Sequence, residues 1–193
     1  MDICVFSASS DRLDRAYFDL AYSLGQAIAK AGHRMVYGAG AGGLMGRSAQ
    51  GVIDGGGELL GIAPRFFDEP GILIKEHGQL IFTDTMAERK EKMRELSQAF
   101  IALPGGIGTF EEFFETLTLK QLGRHEKPMI LLDCRDYYGP FQALMEHTAD
   151  EGFMSRACLE LYERCQDPEQ AVALCAAPPK QRGSIQRLSD YNR

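Results

Sequence analysis

Two adjacent carboxylates, Glu111 and Glu112, follow the glycine-rich run Leu-Pro-Gly-Gly-Ile-Gly-Thr-Phe at 103–110. Glycine turns that open onto helix N-termini hold phosphates, because the first turn leaves backbone N–H groups unpaired and concentrates partial positive charge. Two acids at such a place need a task of their own. Neighbouring residues on a helix point about 100° apart, so one acid can enter a site while the other caps the helix or faces solvent. A carboxylate one turn along from a held phosphate would lie near the sugar of a bound nucleotide. There it can stabilise the positive charge that builds on ribose as an N-glycosidic bond breaks, and orient or deprotonate the attacking water. A cation is then wanted nearby. The stretch 86–94, Met-Ala-Glu-Arg-Lys-Glu-Lys-Met-Arg, supplies Arg89, Lys90, Lys92 and Arg94. Arg89 or Lys90 is suited to hold phosphate or steer the carboxylate, and a solvated helix face is the alternative for such a charge run. Capping competes as well: Thr109 and Glu112 fit a T-x-x-E capping box that needs no ligand, although it leaves Glu111 and the glycines unexplained.

A second glycine loop, Gly-Ala-Gly-Ala-Gly-Gly-Leu-Met-Gly at 38–46, places Gly38, Gly40 and Gly43 in G-x-G-x-x-G spacing between a strand and a helix. A dinucleotide site would also want an acid at the end of the following strand, where this chain has Ala63, Pro64 and Arg65. Phosphate binding, nicotinamide binding and simple tight packing with positive φ all remain open for this loop.

The elements that must position these residues alternate in type. Apolar runs at 2–6, 34–37, 58–63, 79–82, 99–103 and 128–133 read as strands. Amphipathic stretches at 12–31, 83–97, 109–123, 139–152 and 167–176 read as helices, as does the stretch from the 38–46 glycine loop to about 54–57, with 159–165 as a weaker final strand. Residues 64–78 read as irregular. Nearly continuous apolar strands alternating with helices predict an α/β fold: a single-domain, Rossmann-like, doubly wound parallel sheet with helices on both faces. Both glycine loops then lie at the carboxyl edge of the strands, where such sheets bind ligands. We expect this domain to span 1–176 and the tail 177–193, rich in Pro, Gly, Ser and basic residues, to be a mobile end.

Composition narrows the class further. The 193 residues carry a formal charge of −6, with 45% apolar and 25% charged residues. A soluble globular chain with no general field for nucleic acid is expected, so any phosphate must be held by local donors. No stretch approaches the roughly 18 apolar residues of a membrane span, and the start does not read as a signal peptide. The five cysteines, Cys4, Cys134, Cys158, Cys165 and Cys175, form no C-x-x-C pair. Neither a disulfide framework nor a zinc site is expected, and a reducing cytoplasm is the simplest home. Nor do the four scattered histidines have ligand-like spacing.

These motifs resemble those of the LOG family, the cytokinin riboside 5′-monophosphate phosphoribohydrolases, often labelled lysine decarboxylase-like. The family's P-G-G-x-G-T-x-x-E motif is matched by Pro104, Gly105, Gly106, Gly108, Thr109 and Glu112, and its M-x-x-R-K motif by Met86, Arg89 and Lys90. Its Y-G-G-G-x-x-G-L-M-G loop appears at 37–46 with Ala39 for one glycine. The segment 5–10, Val-Phe-Ser-Ala-Ser-Ser, is similar to its C-G-S-S segment, with Phe6 and Ala8 where cysteine or glycine is common. The likeness runs over about residues 2 to 175. It implies hydrolysis of AMP or N6-substituted AMP to free base and ribose 5-phosphate, with Glu112 and Arg89 as the catalytic pair. It also implies that Ser9, Gly38, Gly40, Gly43, Met86, Lys90, Gly105, Gly106, Gly108 and Thr109 hold the nucleotide. No metal or other cofactor is implied. The expected partners are the nucleotide monophosphate and a second copy of the chain, in a homodimer with the site near the interface, and neither nucleic acid nor membrane. Leu119 stands where many relatives carry tryptophan, and with Ala39 it bears on base selectivity.

Three other readings accompany this one. A nucleotide or phospholigand sensor or carrier on the same fold would bind without releasing base. Lysine decarboxylation would need a pyridoxal cofactor on a lysine, for which only Lys90 is near a phosphate site. Phe110, Phe113, Phe114 and Leu117 follow helical spacing and are expected in the core, and Phe66 and Phe67 belong to a packed loop or a subunit interface.

Overall fold

The computed structural model describes residues 1–178, and most of the expected tail lies outside them. Strands β1 (Asp2–Phe6), β2 (Arg34–Tyr37), β3 (Glu58–Pro64), β4 (Gln79–Thr83), β5 (Ala99–Ala102), β6 (Met129–Leu132) and β7 (Glu163–Cys165) form one sheet in the order β4-β3-β2-β1-β5-β6-β7. Every neighbouring pair is parallel. Between them run helices α1 (Arg15–Lys30), α2 (Gly43–Asp54), α3 (Met86–Leu96), α4 (Ile107–Gln121), α5 (Gly139–Asp150) and α6 (Pro168–Ala176). The doubly wound α/β architecture expected from the alternation is the one observed.

Central β1 shows why its sequence is apolar without interruption. Ile3 and Val5 face a core shared with α1, α2 and α6, whereas Cys4 and Phe6 face a second core shared with α3, α4 and α5. Side chains alternate across a strand, so burial on both faces removes any polar position. The chain leaves β1 toward β4 and returns to β5 on its other side, with Phe6 opposite Ala102. That reversal is the topological switch point, and the loops beyond β1 and β5 part there to leave a crevice.

Among the boundaries that differ from the expected ones, three have a clear local cause. Helix α1 starts at Arg15 because Asp14 caps it, its Oδ1 accepting from the Ala16 amide at 3.0 Å. Helix α4 starts at Ile107, with Gly106 as the cap residue, which puts Thr109 inside the first turn. A capping box from Thr109 to Glu112 therefore does not form. The final strand is only Glu163–Cys165, because Ser155 caps a 3-10 turn over Arg156–Glu160 and buries Cys158. The irregular 64–78 segment clips onto the first glycine loop, where Ala41 donates to the Ile72 carbonyl and Ile74 to that of Ala39. Its Phe66 and Phe67 are exposed and stack edge to face at 4.8 Å.

Candidate active site

The site is built around Arg89. Helix α3 opens with a capping box. Thr85 accepts from the Glu88 amide at 3.1 Å, and the Glu88 carboxylate reaches back to the Asp84 amide at 2.9 Å. This start sets the rotation of the helix, so that Arg89 turns inward and is 5% exposed. Its Nε donates to the Ile62 carbonyl of β3 at 3.1 Å, and Nη1 donates to Glu112 Oε1 at 2.7 Å. Gly38 makes the room, since a Cβ there would stand 2.1 Å from Nη2. Nη2 has no hydrogen-bond partner among the described residues.

Glu112 meets Arg89 from α4 with its side chain only 11% exposed. Burial pushes its carboxyl above the ordinary range, and the Arg89 charge and hydrogen bond partly offset that rise. Glu111, one position earlier, points elsewhere and pairs with Lys90, which also reaches Glu115 at 3.0 Å. Arg94 closes this surface network on Glu115 at 2.8 Å. The two adjacent acids thus have separate employments: Glu112 is at the buried arginine, and Glu111 belongs to a clamp between α3 and α4. Burial disfavours the Lys90 charge, but its pairing with Glu111 and Glu115 outweighs that and holds the ammonium above its usual value. Lys90 is occupied in helix pairing here, and a lysine held as an ammonium is poorly suited to form a Schiff base.

The second loop lies beyond β5. Leu103, Pro104 and Gly105 are buried, while Gly106, Ile107 and Gly108 are exposed at the start of α4. The first intrahelical bond of α4 runs from the Phe110 amide to the Gly106 carbonyl. The amides of Ile107, Gly108 and Thr109 precede it and find no acceptor among the described residues. Thr109 is 4% exposed and lies over Gly105, where a Cβ would be 2.0 Å from its Oγ1. Any side chain at 105 would displace that hydroxyl. Met86, 37% exposed, stands at the first position of α3.

The first glycine loop is arranged differently. Gly43 has φ 61° and opens α2, but its amide donates to Asp11 Oδ1 at 2.7 Å. The next two amides, Leu44 and Met45, donate to the Ala8 carbonyl at 2.9 and 3.2 Å. The chain itself fills this helix N-terminus, and the Gly43 amide joins the packing of two loops. A Cβ there would fall 2.5 Å from the Ser9 carbonyl carbon. Ser9 itself is exposed on the β1–α1 loop, and Gly40 packs on Met45. Ala39 carries φ 60° and is fully buried, its methyl directed at Gly61 of β3. It therefore belongs to the core between the first glycine loop and β3.

Several residues at this edge escaped the sequence reading. Asp11 fills the α2 terminus. The Ser7 hydroxyl at the end of β1 is buried without a hydrogen-bond partner. Tyr137 and Tyr138 reach back to the second loop from the turn after β6. No spacing rule marks Asp11, Tyr137 or Tyr138, because each acts through a contact more than 25 residues away. Of the four α4 residues expected in the core, Phe113 and Leu117 are buried, Phe110 is half-buried and Phe114 is 38% exposed. A hollow of about 440 Å³ between Arg34, Gly57, His77 and Gln79 lies at the opposite edge of the sheet. Among the described residues no three His, Cys, Asp or Glu side chains are grouped to hold a metal. No helix there is long and apolar enough to cross a membrane.

Comparison with known proteins places these features in a family. The family model described as "possible lysine decarboxylase" matches residues 45–175, more than half of the chain. A cytokinin riboside 5′-monophosphate phosphoribohydrolase of Rhodococcoides fascians is 41% identical over 181 residues, covering 91% of this chain and 89% of that one. One of the same name from Arabidopsis thaliana is 38% identical over 172 residues, covering 89% and 81%. Among solved structures, a molybdenum cofactor binding protein from Rippkaea orientalis superimposes with a TM-score of 0.67 at 23% identity, covering 90% of this chain and 93% of that one, a likeness of fold alone. With its sheet order, its Arg89–Glu112 pair and relatives at this identity over most of their length, the chain belongs to the LOG family of lysine decarboxylase-like proteins.

Proposed function

We propose that the protein hydrolyses the N-glycosidic bond of a nucleoside 5′-monophosphate, AMP or an N6-substituted AMP, to free base and ribose 5-phosphate. The observation that carries this reading is the buried Arg89–Glu112 pair one turn along α4 from amides that lack acceptors. Glu112 follows Ile107 by five residues, about 7.5 Å along the axis at the usual rise. That separation suits a nucleotide whose 5′-phosphate sits on the first turn and whose anomeric carbon faces the carboxylate. The Gly106–Thr109 segment and the free Nη2 of Arg89 take the phosphate, with Gly38, Gly40, Met86 and Ser9 around the nucleotide. As the C1′–N bond breaks, the bonding electrons leave with the base and Glu112 stabilises the ribosyl cation. Water adds at C1′, directed by Glu112, and its proton passes to the carboxylate while the departing base is protonated from solvent. Relatives bearing the phosphoribohydrolase name over most of their length support the assignment. The clamped ammonium of Lys90 argues against decarboxylation.

The homodimer fits one surface of this chain. Ile107 is 88% exposed at the start of α4, Phe114 is 38% exposed on the same face, and Leu122, just past the helix end, is 38% exposed. The stripe starts in the first turn of the site helix, which would put the site beside a second copy. Sedimentation of Phe114→Glu should show monomer where the wild type shows dimer. Five free thiols support a reducing cytoplasm.

Chromatography of purified protein incubated with AMP and with N6-isopentenyl-AMP tests the activity. Release of free base that collapses in Glu112→Gln and Arg89→Ala is the expected result, and the faster substrate identifies the preferred base. Saturable binding without release would show a sensor or carrier.

A further inference from the structure

The turn between β6 and α5 sends two consecutive tyrosines to the second glycine loop. Tyr137 donates its hydroxyl to the Gly105 carbonyl at 2.5 Å, and Tyr138 donates to the Leu103 carbonyl at 2.7 Å. These two bonds look equivalent but act on different peptides. The Leu103–Pro104 peptide has no N–H, so the Tyr138 bond only satisfies a buried carbonyl. The Gly105–Gly106 peptide does carry one. A trans peptide is planar with its N–H antiparallel to its C=O, and the chain has no cis peptide bond among the described residues. Holding the Gly105 carbonyl therefore fixes the direction of the Gly106 amide, away from Tyr137. No described residue accepts from that amide. Gly106 is exposed, and a Cβ built on it would meet nothing within 4 Å.

We propose that Tyr137 is a positioning residue that aims the Gly106 amide at the phosphoryl group of the ligand, while Tyr138 serves only the fold. The assignment rests on the phosphate reading of this loop. Tyr137 is itself well held: its ring meets Tyr17 edge on at 6.2 Å and Tyr138 at 5.1 Å. The turn before it keeps Arg135 at φ 56° and Asp136 at φ 59°, in the left-handed region that L side chains disfavour. Ion pairs of Arg135 with Asp14 and of Asp136 with Arg164 tie that turn to α1 and β7. Arg164 also pairs with buried Asp133, whose Oδ1 accepts from the Tyr138 amide at 3.2 Å. Strain held by several partners marks a backbone set in place for a purpose. A phenol is protonated, hence a donor, at neutral pH, and burial pushes that of Tyr137 further above its usual value.

The contrast between the tyrosines supplies the test. Titration calorimetry of the full chain with inorganic phosphate and with ribose 5-phosphate, alongside urea unfolding, compares Tyr137→Phe with Tyr138→Phe. Tyr137→Phe should weaken both anions about tenfold, the usual weight of one misdirected hydrogen bond. It should also raise KM for AMP by a similar factor at nearly constant kcat, with adenosine binding unchanged. Tyr138→Phe should lower the urea midpoint and leave phosphate affinity within about twofold. Equal anion loss in both variants, or unchanged anion affinity in Tyr137→Phe, would overturn the assignment while leaving the phosphate reading intact. A wild type that binds neither anion would overturn both.

Discussion

Two helix N-termini at one edge of the sheet follow glycine-rich loops, and they are put to opposite uses. At α2 the amides of Gly43, Leu44 and Met45 are taken by the Asp11 carboxylate and the Ala8 carbonyl. At α4 the corresponding amides are left without acceptors, and Tyr137 holds the preceding carbonyl away from them. Both termini carry the partial positive charge of a helix start. In one it is spent internally on joining the β1–α1 loop to α2, and in the other it remains available for an anion. A glycine motif thus records that backbone groups can be approached closely, while the approaching group is chosen by the rest of the fold.

The largest expected effect comes from removing a charge near each terminus. Glu112→Gln should lower base release by about a thousandfold or more, because a carboxylate facing the developing cation is lost. Asp11→Asn removes the same charge from the α2 terminus and should lower stability by about 1 kcal/mol, like the loss of an N-cap, with turnover reduced less than about tenfold. Turnover assays and urea melts on the two variants would break the comparison if their effects were exchanged.

Glycine replacements come next. Gly43→Ala meets both a positive φ and backbone atoms of Ser9 and Ala8, so unfolding should show a loss of about 2–4 kcal/mol. Gly105→Ala instead meets the Thr109 hydroxyl, a side chain. It should cost less stability, about 1–3 kcal/mol, and weaken phosphate binding out of proportion. Equal stability losses with phosphate affinity intact in Gly105→Ala would remove the distinction between the loops.

Titration sharpens the α4 side. Burial raises the Glu112 pKa, so its carboxylate, and with it activity, is lost as pH falls through a value above the ordinary glutamate range. The acid limb of kcat/KM should lie correspondingly high. Arg89 opposes this rise, so carbon NMR of Arg89→Gln should place the Glu112 midpoint higher still. A downward move would show that the arginine does not act on this carboxylate. The smallest effect is expected at Ala39→Gly, where relief of a positive φ and loss of a core methyl oppose one another. The unfolding free energy should change by less than about 1 kcal/mol, with substrate preference unaltered.

Much of this was legible in the chain before any coordinates. Apolar strands alternating with amphipathic helices required a parallel sheet covered on both faces, since no other arrangement buries those runs. A glycine turn with an acid and a cation close by was readable from spacing, but the choice of Glu112 over Glu111 and of Arg89 over Lys90 came only from the likeness to the family's motifs. The capping alternative for Thr109 had a local origin: T-x-x-E occurs at both 85–88 and 109–112, and only the first begins a helix. The flexible backbone at Gly105 and Gly106 moved the start of α4 two residues earlier than the pattern indicates.

What the sequence by itself determined is therefore the set of local preferences: which segments are strands, where glycine permits a close approach, and which side chains can carry charge into a site. Tertiary structure alone decided which acid is buried, which lysine is clamped, which helix start is already filled and which carbonyl a tyrosine holds. Those outcomes depend on contacts such as Asp11 to Gly43, Arg89 to Glu112 and Tyr137 to Gly105. Hydrogen bonds and ion pairs act over a few ångströms, whereas these partners are separated by 32, 23 and 32 positions along the chain. Only folding of the sheet brings them within that range.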